Sequence, residues 1–383
     1  MRHLPLGWLQ LKHQPLRLVV ALAGIAFAVI LIHMQLGFRA SLFKSAVRYH
    51  ERLVYDVVIL SIDSPYLGRT APFSSRRLYQ ALADPDVASG SPVYVFMALW
   101  RNPFNFERRS ILTVGIDPDS LVLDTDGVRE QLGRLRLRDA VLFDSRSRIE
   151  YGAVDAYLDG GERLFTEVND REVEVIGTFS MGTSFGIDAN LLTSDTNFLR
   201  LFPNRPRTQI DLGLLTLRAG ADPEEVRDRL RALLPEDVLV MTRPEFTARE
   251  VSYWNSTTPI GYVFAFGAII GFVVGAIIVY QILFADVSDH LPEYATLKAI
   301  GYSNGFVSRV VLQQAILLAL LGYLPGLLAS LWLFRRAGAA TRLPMEMTLE
   351  RGLAVLGLTI AMCAISGLIA LRKVRRLDPA DIF

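Results

Sequence analysis

The sequence contains a single cysteine, Cys363, and it lies within a long apolar run. Disulfide bonds therefore contribute nothing to the fold, and they do not reveal the redox environment of the chain. Histidines are few and scattered, so no two have the spacing of metal ligands and we expect no metal site; they are His3, His13, His33, His50 and His290. The net charge is only +1 and no basic segment alternates with aromatics, so we expect no nucleic-acid partner.

A Gly-Lys pair occurs nowhere in the sequence. A phosphate-binding loop ends in Lys-Ser or Lys-Thr after a glycine-rich turn, so the chain cannot hydrolyse ATP by that route. The long polar segment between the first two apolar runs has a single histidine, His50, and nothing beside it marks a nucleophile. This pattern argues against a catalytic triad. We therefore expect a non-catalytic chain without a cofactor of its own.

Four apolar runs are long enough to cross a bilayer, which takes about 20 residues of helix. Residues 259–285, 310–334 and 352–371 contain no charged side chain, and 18–36 follows a short basic segment. The run at 18–36 exceeds the roughly 7–15 residues of a signal-peptide core, and no cleavage site follows, so we interpret it as a retained anchor. Its two polar side chains, His33 and Gln35, are expected to snorkel towards the interface, and Gln313 and Gln314 in the third run likewise.

These runs predict an α-helical integral membrane protein with four transmembrane helices and a large mixed α/β periplasmic domain between the first and second. Basic residues near both termini favour an inside location for both ends, although the short outer loop also carries four arginines. The predicted segments are an amphipathic N-terminal helix (1–17), helix 1 (18–36), the periplasmic domain (37–258), helix 2 (259–285), a cytoplasmic loop (286–309), helix 3 (310–334), a periplasmic loop (335–351), helix 4 (352–371) and a cytoplasmic tail (372–383).

The large domain shows strand-like runs that alternate with helices. Its clearest helix begins at Asp222, where an N-cap precedes Pro223 and Glu225, and it stops at Pro235. A second capping box, Thr242 to Glu245, predicts a stalk-like helix that leads to the second span. The loop at 177–195 is rich in small residues and is predicted to form an exposed turn or clasp. The predicted strands are 56–62, 92–99, 110–116, 140–143, 172–176, 212–217 and 238–241.

Small residues in the membrane helices recur at a spacing of four. Gly267, Gly271 and Gly275 fall on one face of the second span, and Gly24 with Ala28 repeats the pattern in the first. Such faces let another helix backbone approach closely. Packing within the subunit and packing against a second copy both fit the pattern, and we favour a homodimer interface that uses the first and second spans.

The cytoplasmic loop contains a short helix-like segment between the second and third spans. It breaks at Pro292, places Tyr294, Leu297 and Ile300 or Gly301 along one side, and turns Glu293 and Lys298 elsewhere. Gly301 is expected to end the helix. This segment suits insertion into a groove on a partner protein, although an ordinary connector would also fit.

Taken together, this arrangement resembles the FtsX-like permeases of the MacB class, and within that family it is similar to the DevC-like exporter permeases. The loop Glu-x-x-x-Leu-Lys-Ala-Ile-Gly at 293–301 carries the family-level resemblance. More specific similarity lies in Pro5-Leu6-Gly7-Trp8-Leu9-Gln10-Leu11, Leu22-Ala23-Gly24-Ile25-Ala26-Phe27-Ala28, Met34-Gln35-Leu36-Gly37-Phe38-Arg39, Phe185-Gly186 and Leu192-Thr193-Ser194-Asp195-Thr196-Asn197-Phe198-Leu199.

The resemblance implies a permease homodimer in the cell inner membrane that transmits motion to its periplasmic domains. It implies that ATP and Mg are bound by a separate DevA-like ATPase, which the helix at 293–301 would couple to the permease. It further implies a DevB-like membrane fusion protein, a TolC-like outer-membrane channel and a lipid or glycolipid-like cargo drawn from the membrane. Two alternatives stay open: an FtsX-like regulator of a cell-wall hydrolase, and a permease that extracts lipoproteins or lipids.

Overall fold

The computed structural model describes residues 15–184 and 186–375, and the chain divides into two compact units. The helical unit takes in the described residues up to Ser41, Ile260–Gly338 and those from Met345 onwards. The sheet unit consists of Leu42–Pro259 together with Ala339–Pro344. The predicted N-terminal helix lies outside the described residues up to position 14, and so does the tail from 376; Pro15–Arg17 already belong to the first helix.

The helices are, in chain order, α1 (Pro15–Ala46), α2 (Arg48–Arg52), α3 (Arg76–Ala81), α4 (Val154–Asp159), α5 (Asp195–Leu201), α6 (Pro223–Leu233), α7 (Arg243–Ser252), α8 (Ile260–Asp289), α9 (Leu291–Ala299), α10 (Asn304–Thr341) and α11 (Leu349–Arg375). Short 3-10 turns occupy Leu132–Arg136 and Ile149–Tyr151, and a π-helical turn spans Tyr253–Thr257.

Four of these helices are long and apolar enough to cross a membrane: α1, α8, α10 and α11, with 32, 30, 38 and 27 residues. At about 1.5 Å per residue each exceeds the roughly 30 Å of bilayer hydrocarbon. Helix α1 continues ten residues beyond the predicted end of the first span, and α10 continues into the predicted outer loop as far as Thr341. The first part of the α1 extension, up to Ser41, belongs to the helical unit, where Phe38 stacks on Phe264 with ring centroids 6.1 Å apart.

The strands are β1 (Val57–Ser61), β2 (Phe73–Ser74), β3 (Val87–Arg101), β4 (Arg108–Ile116), β5 (Ala140–Asp144), β6 (Leu164–Val168), β7 (Arg171–Phe179), β8 (Asn190–Ser194), β9 (Gln209–Ile210), β10 (Leu212–Leu217) and β11 (Val238–Thr242). All seven predicted strands are present. The sequence did not predict β2, β6, β8 and β9, because these strands are short or lack a clear alternation of apolar and polar residues.

The sheet unit is organised by the long strand β3 of a nine-stranded mixed sheet with the order β11-β1-β10-β3-β4-β8-β5-β7-β6. The first half of β3 pairs with β10 and the second half with β4. Pairs β4–β8 and β5–β7 are parallel. Trp100 of β3 also pairs with Val168 of β6, so the last strand in this order returns to β3. The predicted mixed α/β domain between the first two spans is confirmed.

Apolar side chains cover both faces of this sheet. In β1, Val58 and Leu60 join one buried cluster, whereas Val57 and Ile59 join another on the opposite face. Successive strand residues point to opposite faces, so the uninterrupted apolar run of β1 reflects burial on both sides. A third cluster around Trp100 fills the half of the unit that contains β5, β6 and β7.

Candidate functional site

The segment between α8 and α10 is a short helix bounded by identifiable stops. Helix α8 hydrogen bonding continues to His290, whose N–H donates to Asp286 O at 3.1 Å. Pro292 follows in the first turn of α9, where a missing N–H costs little. Gly301 ends the segment with φ +104°, a left-handed conformation that glycine adopts without strain. The chain therefore turns twice and presents α9 between two spans.

Several of the residues predicted to face a partner are placed by the structure. Glu293 and Ile300 are exposed, Ile300 by 71%, and no atom would obstruct a side chain at Gly301. The side chains of Tyr294, Leu297 and Lys298 lie outside the described residues. Ala295 is buried and is thus a side chain by which α9 contacts the helical unit. The exposed positions leave part of this segment open to another protein.

A polar cluster lies where α9 joins the helices. Gln314 Nε2 of α10 donates to Asp286 Oδ2 of α8 at 3.1 Å. His290 Nδ1 lies 2.9 Å from Asp286 O and 3.6 Å from Asp286 Oδ1. Arg17 of α1 forms an ion pair with Asp289. Three spans are thereby tied together at the base of α9.

Sequence reasoning missed this cluster because it interpreted the polar residues one by one. Gln314 was expected to snorkel, but it is fully buried and hydrogen-bonded to Asp286. His33 does not snorkel either: it is buried, and its ring centroid lies 6.0 Å from that of Tyr323. Gln35 packs beside Gly267. The sequence indicates the Asp286–Gln314 pair only through its spacing. Asp286 and Gln314 are 28 positions apart, and each lies near the same end of its span.

The glycine face of α8 packs against α1 of the same chain. A Cβ atom on Gly267 would lie 2.5 Å from Gln35, and one on Gly271 would lie 3.2 Å from Leu31 Cβ. A Cβ on Gly275 would lie 2.5 Å from both Ala28 Cβ and Met362 Sδ, and one on Gly24 would lie 2.5 Å from Ile278 Cγ2. Of the two uses that the spacing allowed, the stripe serves packing within the subunit. An interface with a second copy would need another surface, such as the exposed apolar face of α8.

The loop at 177–195 was predicted to be exposed, and this prediction is wrong for most of its residues. Met181 and Thr183 are buried, and Asn190–Ser194 forms the fully buried strand β8. The run Gly182-Thr183-Ser184-Phe185-Gly186 also matches the spacing of a nucleophile elbow, which the sequence analysis overlooked. A nucleophile elbow joins a strand to a helix, whereas β8 follows this loop. Neither ring nitrogen of His50 has a hydrogen-bond partner, so no serine–histidine pair forms there.

Among residues 15–184 and 186–375, no three histidine, cysteine, aspartate or glutamate side chains converge as metal ligands. Two neighbouring titratable groups of the sheet unit, His50 and Glu250, have shifted pKa values for structural reasons. Burial lowers the pKa of His50 to about 3 and raises that of Glu250, whose Oε2 lies 3.5 Å from His50 Nε2. Glu250 also accepts hydrogen bonds from Leu67 N and Trp254 Nε1. These contacts join α2, α7 and the loop after β1.

Four membrane-length helices with a large α/β domain inserted after the first define a multi-pass membrane protein with a periplasmic domain. The family described as MacB-like periplasmic core domain matches residues 18–233, and the family described as FtsX-like permease C-terminal matches residues 265–379. The chain belongs to the FtsX-like, MacB-class family of ABC permeases, which are transporter subunits. The resemblance recognised from the sequence is confirmed at this level.

Solved structures that are similar to part of the chain include the following two. The periplasmic region of MacB from Actinobacillus actinomycetemcomitans has 13% identity and a TM-score of 0.37, over 52% of this chain and 94% of that one. The extracellular domain of the noncanonic ABC-type transporter YknZ from Gram-positive bacteria has 14% identity and a TM-score of 0.34, over 49% of this chain and 99% of that one. No protein with a curated description matches the chain.

Proposed function

We propose that the chain is the permease subunit of a DevBCA-type tripartite exporter in the inner membrane. Two copies would form the permease, and a separate DevA-like ATPase would bind ATP and Mg and drive it. Each copy would pass the resulting motion to its periplasmic domain. A DevB-like fusion protein and a TolC-like channel would carry a lipid or glycolipid-like cargo onwards.

The observation that carries this proposal is the placement of α9. It is a short helix between two spans, partly exposed, and joined at its base to α1, α8 and α10 by the cluster around Asp286 and Asp289. A force applied to α9 would reach three spans rather than a flexible loop. This rigidity is what a contact that transmits motion requires.

Membership of the ABC permease family supports a partner ATPase that binds and hydrolyses ATP. The lipid cargo and the DevB-like and TolC-like partners rest on the sequence resemblance. The apolar side chains exposed on the spans fit a cargo that is drawn from the membrane.

The first test is affinity isolation of the full chain from its native membranes in mild detergent, followed by mass spectrometry. Recovery of an ABC ATPase with a membrane fusion protein is the expected result. An ATPase with a wall-hydrolase activator would instead favour the FtsX-like regulator, and an ATPase with a periplasmic lipid carrier would favour extraction. Recovery without any ATPase would refute all three permease functions.

The second test probes α9 itself. The double variant Leu297→Asp, Lys298→Glu should lose the ATPase during isolation while the chain stays in the membrane. Leu349→Asp is the control, because Leu349 is 80% exposed and lies at the start of α11, across the span from α9. Retention of the ATPase by the double variant would rule out coupling through α9.

A further inference from the structure

The sheet unit contains a fully buried carboxylate, Asp144, at the end of β5. Its Oδ1 accepts from Arg146 N and Met181 N, each at 3.0 Å. Its Oδ2 accepts from Gly182 N and from Asn190 Nδ2, each at 2.7 Å. Burial raises the pKa of Asp144, and these hydrogen bonds oppose that rise. Asp144 thus fixes the backbone of the loop that follows β7.

The same loop is attached to the helix that directly follows α1. Arg48 Nη1 of α2 donates to Met181 O at 3.0 Å and to Thr183 O at 3.2 Å. The hydroxyl of the neighbouring Tyr49 donates to Asn190 Oδ1 at 3.0 Å. Gly182 has φ +91°, and a side chain there would collide with the Arg48 guanidinium. The loop is therefore shaped to receive Arg48, which requires glycine at this position.

On its other side the loop contacts the segment that connects α10 to α11. The buried Thr183 donates from Oγ1 to Arg342 O at 3.2 Å. Ala339–Pro344 belongs to the sheet unit, although α10 and α11 otherwise belong to the helical unit. Arg342 has φ +58°, which is uncommon for a residue other than glycine, and Pro344 follows two positions later. The chain leaves α10 in a fixed conformation at the point of this contact.

We propose that residues 180–184, held by Asp144, form a strap anchor that ties the α10–α11 connection to the start of the sheet unit after α1. The inference rests on the proposed transmission of motion. The strap anchor would give motion of the spans a second route to the sheet unit. Movement of α10 and α11 would reach the sheet unit through Thr183, in addition to the covalent route through α1 and α8.

The contact chemistry makes this anchor stiff. Four hydrogen bonds converge on one carboxylate, and loss of this carboxylate would leave its four donors unsatisfied. The acceptor on the connection is a backbone carbonyl, so the link depends on the Thr183 hydroxyl and not on the Arg342 side chain. This asymmetry allows the strap anchor to be tested by single substitutions.

The experiment is hydrogen–deuterium exchange with mass spectrometry on the full chain in detergent micelles, without any partner. Thr183→Val keeps the shape of the side chain and removes the donor. It should raise exchange in peptides covering 339–344 at least threefold. Thr193→Val is the matched control, because Thr193 is equally buried and donates to a different carbonyl, Ala140 O at 2.7 Å. It should leave 339–344 unchanged.

Two further variants separate the parts of the strap anchor. Asp144→Asn should raise exchange in both 180–184 and 339–344, because one of the two acceptor oxygens becomes an NH2 group, which cannot accept the hydrogen bonds that hold the loop. Arg342→Asn keeps the carbonyl and tolerates the left-handed backbone, so protection should persist. Equal effects of Thr183→Val and Thr193→Val, or full exchange of 339–344 in the unmodified chain, would overturn the proposal. Since no ATPase is present, this outcome is independent of whether the proposed exporter function holds.

Discussion

Gln314 and Asp286 join α10 to α8 through a hydrogen bond of 3.1 Å at the base of α9. Gln314 is fully buried, whereas the adjacent Gln313 is exposed. The two glutamines therefore differ in environment although they are indistinguishable in the sequence. Asp286 accepts a hydrogen bond from Gln314, so substitutions of Gln313 and Gln314 can be compared as a matched pair.

Gln314→Met should lower the stability of the full chain in detergent by about 1–3 kcal/mol, since it deprives the partly buried carboxylate of Asp286 of a donor. Gln313→Met should change it by less than about 0.5 kcal/mol. The measurement is the midpoint of thermal unfolding, followed by the loss of the monodisperse gel-filtration peak. Equal midpoints for the two variants would contradict the assigned role of Gln314.

Gly275→Ala should destabilise the helical unit by about 1–3 kcal/mol, because the added methyl group would overlap Ala28 and Met362. Gly357→Ala in α11 is the control: no atom lies within 4 Å of its added Cβ. There alanine should be neutral or slightly stabilising, since it favours helix. Thermal midpoints in one detergent would compare the two. A harmless Gly275→Ala would mean that α8 does not pack this closely on α1.

Asp211→Ala should be among the most damaging single changes in the sheet unit. Asp211 is fully buried and accepts hydrogen bonds from Val95 N at 2.7 Å, Thr70 Oγ1 at 3.0 Å and Arg205 Nη2 at 2.5 Å. Loss of one partner from a buried ion pair costs about 3–5 kcal/mol. The stability of the full chain should fall accordingly in a denaturant titration followed by tryptophan fluorescence.

The control for Asp211→Ala is Asp237→Ala. Asp237 is half-exposed and pairs with Arg77 at 2.9 Å on the surface. Exposed pairs of this kind contribute about 0–1 kcal/mol. A loss as large as that of Asp211→Ala would show that burial does not set the difference between the two carboxylates.

His50 should make the stability of the chain depend on pH below neutrality. Burial lowers its pKa from 6.5 to about 3, so between these values the unfolded chain binds a proton that the folded chain does not. Stability from this group is complete above pH 6.5 and is lost as the pH falls towards 3. At pH 5 the loss should be about 2 kcal/mol.

The test compares the unmodified chain with His50→Phe at pH 7 and pH 5. Phenylalanine cannot titrate and can keep the ring contact with Phe246, whose centroid lies 4.3 Å away. Burial shifts the pKa of the neighbouring Glu250 upwards, which has the opposite effect on the pH dependence, so only the difference between the two proteins is diagnostic. If both lose stability equally between pH 7 and pH 5, His50 is not the titrating group.

Local patterns in the sequence were sufficient to predict the elements that depend only on neighbouring residues. The four spans followed from the length and apolar character of each run, because a helix in hydrocarbon satisfies its own backbone. The start of α6 followed from Asp222, whose side chain accepts from Glu224 N at 2.8 Å. The capping box at α7 followed in the same way, with Thr242 N donating to Glu245 Oε2 at 2.9 Å.

Features that depend on distant residues were decided only by the tertiary structure. The spacing of Gly267, Gly271 and Gly275 marked a close approach, but only the fold shows that α1 of the same chain fills it. The sequence around Gln314 does not show whether its side chain faces lipid or binds Asp286. The small residues around Gly182 are typical of a flexible loop, and only the fold shows that Asp144 holds their backbone. Hydropathy and caps act within a few residues along the chain, whereas burial and pairing depend on what the fold brings together.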